Sequence, residues 1–270
     1  MTRKQKRQPT GHSRIHAFVA TPAYDGRVLT DYAVSLAESC QLATMLGIKV
    51  TAAVMGNGAF IDLARCTFIN MFLDSEATHL FFIDADLSWE ARAFVALLQA
   101  DYDVSCGVYP RRQKEPSYPV HWVQAEEGGL SVVNGGWLKV DRAPTGFLCI
   151  RRHVIEKMVA KAKRIRVQYG DNQWHEIPQL FYTFINDDGK FVGEDFAWSR
   201  DYCEQFNESI YCWPDFTFKH GGYEGCFHDW LNEKIEEEEA ENAKLAAEKA
   251  AAEQANSGEN SGDSTTSVAA

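Results

Sequence analysis

The period of apolar and polar positions changes repeatedly along the first hundred residues. Residues 15–21 form a short, nearly continuous apolar run, the mark of a buried strand. Residues 29–46 carry apolar side chains at Val34, Leu36, Ala37, Leu42 and Leu46, which predicts a helix stopped by Gly47. The alternation then repeats. A strand is expected over 49–55, ending at Gly56-Asn57-Gly58, then a helix over 60–73 and a strand over 79–83. A helix over 89–99 and a short strand over 103–107 follow. Strand–helix alternation with short links predicts an α/β domain whose mostly parallel, Rossmann-like sheet is flanked by helices. Ligands of such sheets sit at the carboxyl ends of the strands, so the loops after Thr21, Met55 and Ile83 should line one crevice.

Beyond residue 110 the pattern becomes irregular and mixed. Residues 120–133 and 137–140 read as β-hairpins with turns at Glu127-Gly128-Gly129 and Asn134-Gly135-Gly136. A strand over 145–150, helices over 153–161 and 194–206, and a last strand over 210–213 complete this half. No internal repeat is present. Residues 15–226 therefore read as one domain, between a basic leader (1–14) and a tail (227–270). The tail opens on Glu236-Glu237-Glu238-Glu239, continues as a helix to about Gln254, and turns to Ser, Gly, Asn and Thr from Asn256. It is expected to be a solvated helix that frays, or else a protein-interaction segment.

Composition narrows the class. The chain has 270 residues, 45% of them apolar, which excludes wholesale disorder. Its formal charge of -11 argues against a general nucleic-acid or anionic-membrane binder. That charge is uneven. Residues 1–14 hold five bases and no acid, residues 231–270 hold ten acids and three bases, and residues 15–230 hold 28 acids and 19 bases. No run approaches the roughly 20 apolar residues of a membrane span. Seven cysteines at scattered spacings, without a C-x-x-C pair, fit reduced thiols and a cytoplasmic location better than a disulfide framework.

The sharpest chemical feature is the apolar strand 79–83 running into Asp84-Ala85-Asp86. Side chains at i and i+2 of a strand share a face, so both carboxylates should stand at the rim of the sheet. Mg²⁺ or Mn²⁺ prefers such oxygen ligands together with substrate phosphates. The bland alternative is a turn before a helix N-capped by Ser88, with Glu90 complementing its dipole. Glu194-Asp195, at the start of another helix, would either complement that dipole or supply a general base. His220, before Gly221-Gly222, is a candidate metal ligand, and Thr145-Gly146-Phe147 enters a strand through a turn.

The order of these pieces resembles the small GT-A glycosyltransferases of phages and large viruses, and relatives of the fungal mannan-polymerase type. The pieces are Ala20-Thr21-Pro22, Arg65, Asp84-Ala85-Asp86, Thr145-Gly146-Phe147, Glu194-Asp195 and His220-Gly221, and the likeness spans residues 15–222. It implies that Ala20, Thr21 and Pro22 border the nucleoside and that Arg65 approaches the base or diphosphate. Asp84 and Asp86 would sit at the ribose and at a Mn²⁺ or Mg²⁺ ion, with Asp86 the direct ligand and His220 the distant one, and Ala85 would join Asp84 in binding the nucleotide sugar. Gly146 would leave room for sugar or acceptor, and Asp195, or else Glu194, would face the acceptor. Relatives commonly show Ala-Arg-Asn in the second helix, where this chain has Ala64-Arg65-Cys66.

By this resemblance the chain is a metal-dependent hexosyl- or pentosyltransferase. It would move sugar from a nucleoside-diphosphate sugar, of the UDP type, to a hydroxyl of a glycan, protein or modified nucleobase, in the host cytoplasm if viral. The alternatives are a nucleotidyltransferase acting on a sugar phosphate and a non-catalytic nucleotide-sugar-binding protein. Against the former, residues 21–27 hold only Gly26 and Arg27 toward a phosphate loop. Trp122, Trp137 and Trp174 are candidates for a sugar-stacking platform or for core packing. Arg111, Arg112, Lys114 and the basic run 161–166 would face an anionic acceptor or solvent.

Overall fold

The computed structural model describes residues 15–56, 58, 60–126, 129–168 and 173–259. The leader, Asn57, the Glu127-Gly128 half of one expected turn and the last eleven residues lie outside the described residues. The first half contains β1 (His16–Ala23), α1 (Thr30–Met45), β2 (Lys49–Gly56), α2 (Ile61–Leu73), β3 (His79–Ile83), β4 (Leu87–Trp89), α3 (Ala91–Gln99) and β5 (Val104–Cys106). The second opens with β6 (His121–Trp122), β7 (Val132–Val133), β8 (Trp137–Arg142), β9 (Phe147–Arg151) and α4 (Arg152–Val159). It continues through β10 (Lys163–Gln168), β11 (Trp174–Gln179), β12 (Phe184–Ile185), β13 (Phe191–Val192) and α5 (Glu194–Phe206). It closes with β14 (Ile210–Cys212), β15 (Thr217–His220) and β16 (Tyr223–Cys226).

The main sheet has the order β2-β1-β3-β9-β5-β14-β8-β6, with β7 beside β8. Strands β2, β1, β3, β5 and β14 run one way, and the reversed β9 sits between β3 and β5. The expected α/β architecture and largely parallel course are therefore present. β3 is buried along Leu80–Ile83, as a strand covered on both faces must be. Its Phe81 packs on Phe94 of α3 and edge-on against Phe147 of β9. Phe147 also meets Trp89 of β4 and Phe218 of β15, with centroids 5.4 and 4.9 Å away. This aromatic cluster lies directly beneath the edge where β3 ends and β9 begins.

The helix expected over 29–46 is present as α1, and two local details differ from the simple pattern. Helix α1 buries Tyr32, Ser35, Ser39 and Ala43, while Val34 is 52% exposed and Leu46 50%. The buried serines are satisfied by Trp89, whose backbone N–H donates to Ser35 Oγ and whose indole N–H donates to Ser39 Oγ. Small hydroxyls let β4 approach the helix closely, and that outweighs apolar periodicity. Ser88 is likewise no N-cap. Residues 87–89 form strand β4 paired with β15, and α3 starts at Ala91 after an extended Glu90 that makes no side-chain cap bond.

The hairpins β10–β11, β12–β13 and β15–β16 have no counterpart among the expected elements. The chain divides into two compact units, one ending at Phe227 and one beginning at His228. The tail helix α6 (Phe227–Glu259) starts earlier and runs further than its composition suggested. Among the described residues no helix is long and apolar enough to cross a membrane.

Candidate functional site at the carboxyl edge of the sheet

The parallel strands β1, β3, β5 and β14 end at one edge, and the reversed β9 begins there, because Ile83 is the register partner of Phe147. Asp84 follows β3, Tyr109 lies three residues past β5, and Thr145-Gly146 leads into β9. Backbone bonds lock these loops together. The Asp84 N–H donates to Gly146 O, and the Gly107 N–H donates to Phe147 O. The Gly146 N–H donates to the Tyr109 hydroxyl at 3.0 Å. A Cβ on Gly146 would collide with that hydroxyl and with Asp84 Oδ2. The glycine is thus required by the close approach of carboxylate and phenol. Gly146→Ala is expected to destabilise the fold by about 1–3 kcal/mol through overpacking, and urea unfolding of the variant checks it.

Helix α2 is buried on nearly every face, and this takes Arg65 inside. Its Nη2 meets Asp84 Oδ1 at 3.2 Å, and its Nε lies 3.5 Å from Glu194 Oε1 at the start of α5. Burial opposes the charge on Arg65, yet Asp84 and Glu194 outweigh it and hold the guanidinium above its ordinary pKa. Its Nη1 is buried with no hydrogen-bond partner, and so is the Thr145 hydroxyl. A buried donor left unpaired costs about 1–3 kcal/mol, which suits a site that receives an anionic or hydroxylated ligand.

Arg65 thus engages Glu194 and leaves Asp195, whose Oδ1 accepts the Phe196 N–H. Burial, helped by the charge of Glu194 and opposed by Arg65, pushes the Asp195 carboxyl up to about 6. Of the two acids expected at this helix start, Asp195 has the properties of a proton acceptor near neutral pH. Cys66, next to Arg65 in α2, also has defined partners. Its thiol donates to Phe181 O, and the Phe181 N–H points at its sulfur, both at 3.4 Å. That pairing fixes Phe181, over whose ring Arg65 lies at 5.9 Å. Burial pushes the thiol up to about 11, so it stays protonated.

Asp84 and Asp86 reach the rim as expected but do not act as a matched pair. Residues 84–86 form a turn closed by the Leu87 N–H on Asp84 O, and the carboxylates turn to different partners. Asp84 belongs with Arg65. Asp86 meets His220, because β15 pairs with β4 in a register that sets His220 opposite Leu87. His220 Nε2 lies 3.5 Å from Asp86 Oδ2, and the Gly221 N–H donates to Asp86 O. The imidazole Nδ1–H donates to Pro110 O at 2.8 Å. That bond commits Nδ1 as a donor and leaves Nε2 as the ring nitrogen that faces Asp86, with a backbone partner behind the ring of the kind that orients metal-ligating histidines.

Burial works against the charge of Asp86, but the hydrogen bond and charge of His220, with Arg112, hold its carboxyl below the ordinary value. Among the described residues no three His, Cys, Asp or Glu side chains converge as a complete metal cage. One carboxylate oxygen and one imidazole nitrogen nevertheless suit Mn²⁺ or Mg²⁺ that takes its other ligands from water and phosphate.

The remaining expected residues are more dispersed. Ala20, Thr21 and Pro22 lie within β1, which continues to Ala23, and all three are buried. The Thr21 hydroxyl is taken by Tyr32 at 2.5 Å. The Ala85 carbonyl accepts the Leu29 N–H. The three tryptophans form no common platform. Trp137 packs on Tyr102 and Trp213, Trp174 stands exposed on the β10–β11 hairpin, and Trp122 lines a separate cleft of about 550 Å³ with His121 and Asp141. A larger cleft of about 830 Å³ opens at the opposite edge of the sheet, around Ile15, His79 and Arg151. Tyr109 has no place in the motif reading, and Arg112, expected to face an anionic acceptor or solvent, lies instead on Asp86. Tyr109 carried only the weak signal of following a strand at the crevice edge.

The chain path is similar to several solved structures. One is A197 from STIV, at 16% identity over 76% of this chain and 85% of that one, with a TM-score of 0.46. Another is the inositol-1-phosphate CTP transferase from T. maritima, at 10% identity over 77% and 89%, with a TM-score of 0.38. A third is GalNAc-T7, solved with UDP, GalNAc and Mn²⁺, at 10% identity and a TM-score of 0.41, where 78% of this chain covers 44% of that one. No protein-family model matches the chain, and no curated protein matches it by sequence.

Proposed function

We propose that the protein is a cation-dependent glycosyltransferase that moves a sugar from a nucleoside-diphosphate sugar, UDP being the favoured nucleotide, to a hydroxyl acceptor. The observation that carries the reading is the meeting of Asp86 and His220, brought from distant parts of the chain, at the strand edge where Asp84, Arg65 and Asp195 also gather. Asp86 and His220 would hold Mn²⁺ or Mg²⁺, which supplies Lewis-acid stabilisation of the departing diphosphate when bound. Arg65, with its unpaired Nη1, offers a further donor for phosphate or ribose oxygens.

Asp195 receives the acceptor's hydroxyl proton. The acceptor oxygen then bonds to the anomeric carbon, and the diphosphate leaves with the electrons of the broken C–O bond.

Calorimetric titration with UDP, with and without Mn²⁺, tests the reading. Binding of UDP that tightens at least tenfold with Mn²⁺ is the expected result. Release of pyrophosphate from a nucleoside triphosphate and a sugar phosphate would instead establish a nucleotidyltransferase. Mn²⁺-dependent UDP binding without transfer from any nucleotide sugar would indicate a binding protein.

A further inference from the structure

We propose that Arg112 is a built-in competitor for the cation at Asp86. Without ligand its guanidinium caps the carboxylate, and when cation and nucleoside diphosphate bind it moves onto the diphosphate. This deepens the function proposed above and rests on the reading that Asp86 and His220 hold the cation.

The first support is that both groups address one atom. Arg112 Nη1 lies 2.9 Å from Asp86 Oδ2, the same oxygen that His220 Nε2 approaches at 3.5 Å. A divalent cation shared by that oxygen and Nε2 would face the guanidinium as a like charge across a few ångströms. Both cannot hold Oδ2 together.

The second support is that the fold makes room for this placement. Gly221 adopts φ +56, and a Cβ there would lie 2.6 Å from Arg112 Cδ. A side chain at 221 would push the arginine stem away from Asp86. The space above Gly221 is therefore the path along which Arg112 reaches the carboxylate.

The third support is that release needs only a side-chain rotation. The segment carrying Arg112 is closed on itself, with the Arg111 N–H on Ser117 O and the Gln113 side-chain amide on Glu115 O. Its base is tied to His220 through Pro110 O, independently of Arg112. The Arg112 side chain is 60% exposed and leaves the carboxylate without unpacking a core. Once displaced, its planar fork of donors is suited to phosphate oxygens as well as to carboxylate, and the diphosphate bound at the cation is the adjacent anion.

Such an exchange couples the two ligands. Arg112 lowers the affinity for the cation alone and raises it for nucleotide in the presence of cation, so the pair binds cooperatively. Arg112→Ala tests this with Mn²⁺ and UDP as probes, read by electron paramagnetic resonance of free Mn²⁺ and by calorimetry. The expected result is Mn²⁺ binding, without nucleotide, tightened about two- to fivefold, the scale of a partly exposed ion pair. UDP binding at saturating Mn²⁺ should weaken about tenfold, the scale of a charge-assisted contact. Opposite movement of the two affinities is something a misfolded variant cannot produce. Unchanged or weaker Mn²⁺ binding, or unchanged UDP affinity, overturns the proposal. Asp86→Ala in the same assay separates the two levels: if it binds Mn²⁺ like the native chain, the cation site itself is misassigned.

Discussion

Asp86→Ala is expected to abolish the effect of Mn²⁺ on UDP binding and to lower sugar transfer by about 10³-fold, the several kcal/mol that Lewis-acid stabilisation of a diphosphate supplies. The size follows from the position of the side chain. Asp86 sits in the turn after β3, and its carboxylate is the group that His220 and Arg112 both face. Its removal leaves the imidazole, whose Nδ1 remains committed to Pro110, as a lone ligand with no carboxylate partner. The backbone of residue 86 keeps its bond from Gly221, so the turn should survive and the unfolding midpoint should move little. Asp84→Ala is a different experiment, because it removes the principal partner of a buried arginine and costs stability as well. Transfer by Asp86→Ala at the native rate, with or without Mn²⁺, would exclude the proposed site.

Asp195→Asn should lower transfer by about 10²–10⁴-fold, the scale of general-base catalysis, while UDP and Mn²⁺ bind as in the native chain. The native pH profile carries the sign of the effect. Burial and the neighbouring Glu194 raise the Asp195 carboxyl to about 6, so it is protonated below that pH and accepts a proton above it. The kcat/KM should therefore fall as pH drops through about 6 and level off above. Arg65, Asp84 and Glu194 are the charged groups that set this value.

His220 also titrates upward. Burial lowers its pKa, but the hydrogen bond to Asp86 raises it more, so acid should weaken cation binding as well. Added Mn²⁺ separates the two limbs, because excess cation moves the histidine limb to lower pH and leaves that of Asp195 in place. In Asp195→Asn the limb near 6 should be absent. Loss of UDP affinity in this variant would instead place Asp195 in donor binding.

Much of the nucleotide-type half could be read from one-dimensional pattern. The β3 segment is the clearest case, since Leu80–Ile83 is apolar throughout and nothing but a doubly covered strand fits it. Helix α5 starts and ends where its pattern predicts. The hairpins β10–β11 and β12–β13 are not legible in the sequence, although Lys163–Gln168 alternates polar and apolar side chains. Its four charged or amide residues read as a solvated face, and a half-exposed strand looks the same as loop when no partner is in view. In α1 the apolar period places the helix, over Thr30–Met45, but not its most buried face, where serines meet Trp89.

The sequence by itself determined the α/β class, the sheet edge at which Asp84 and Asp86 stand, and the residue types available there. Those follow from local propensity and from the alternation of periods, which any short window contains. Only the tertiary structure decided how the residues associate. The β4–β15 pairing sets His220 beside Asp86, while buried Arg65 draws Asp84 and Glu194 to itself and leaves Asp195 with its raised pKa. Arg112, one basic residue among several in the sequence, reaches Asp86 because Gly221 has no side chain to block it. Contacts between residues far apart in the chain depend on strand register and on the space left by neighbouring atoms, and neither is written in any single stretch of residues.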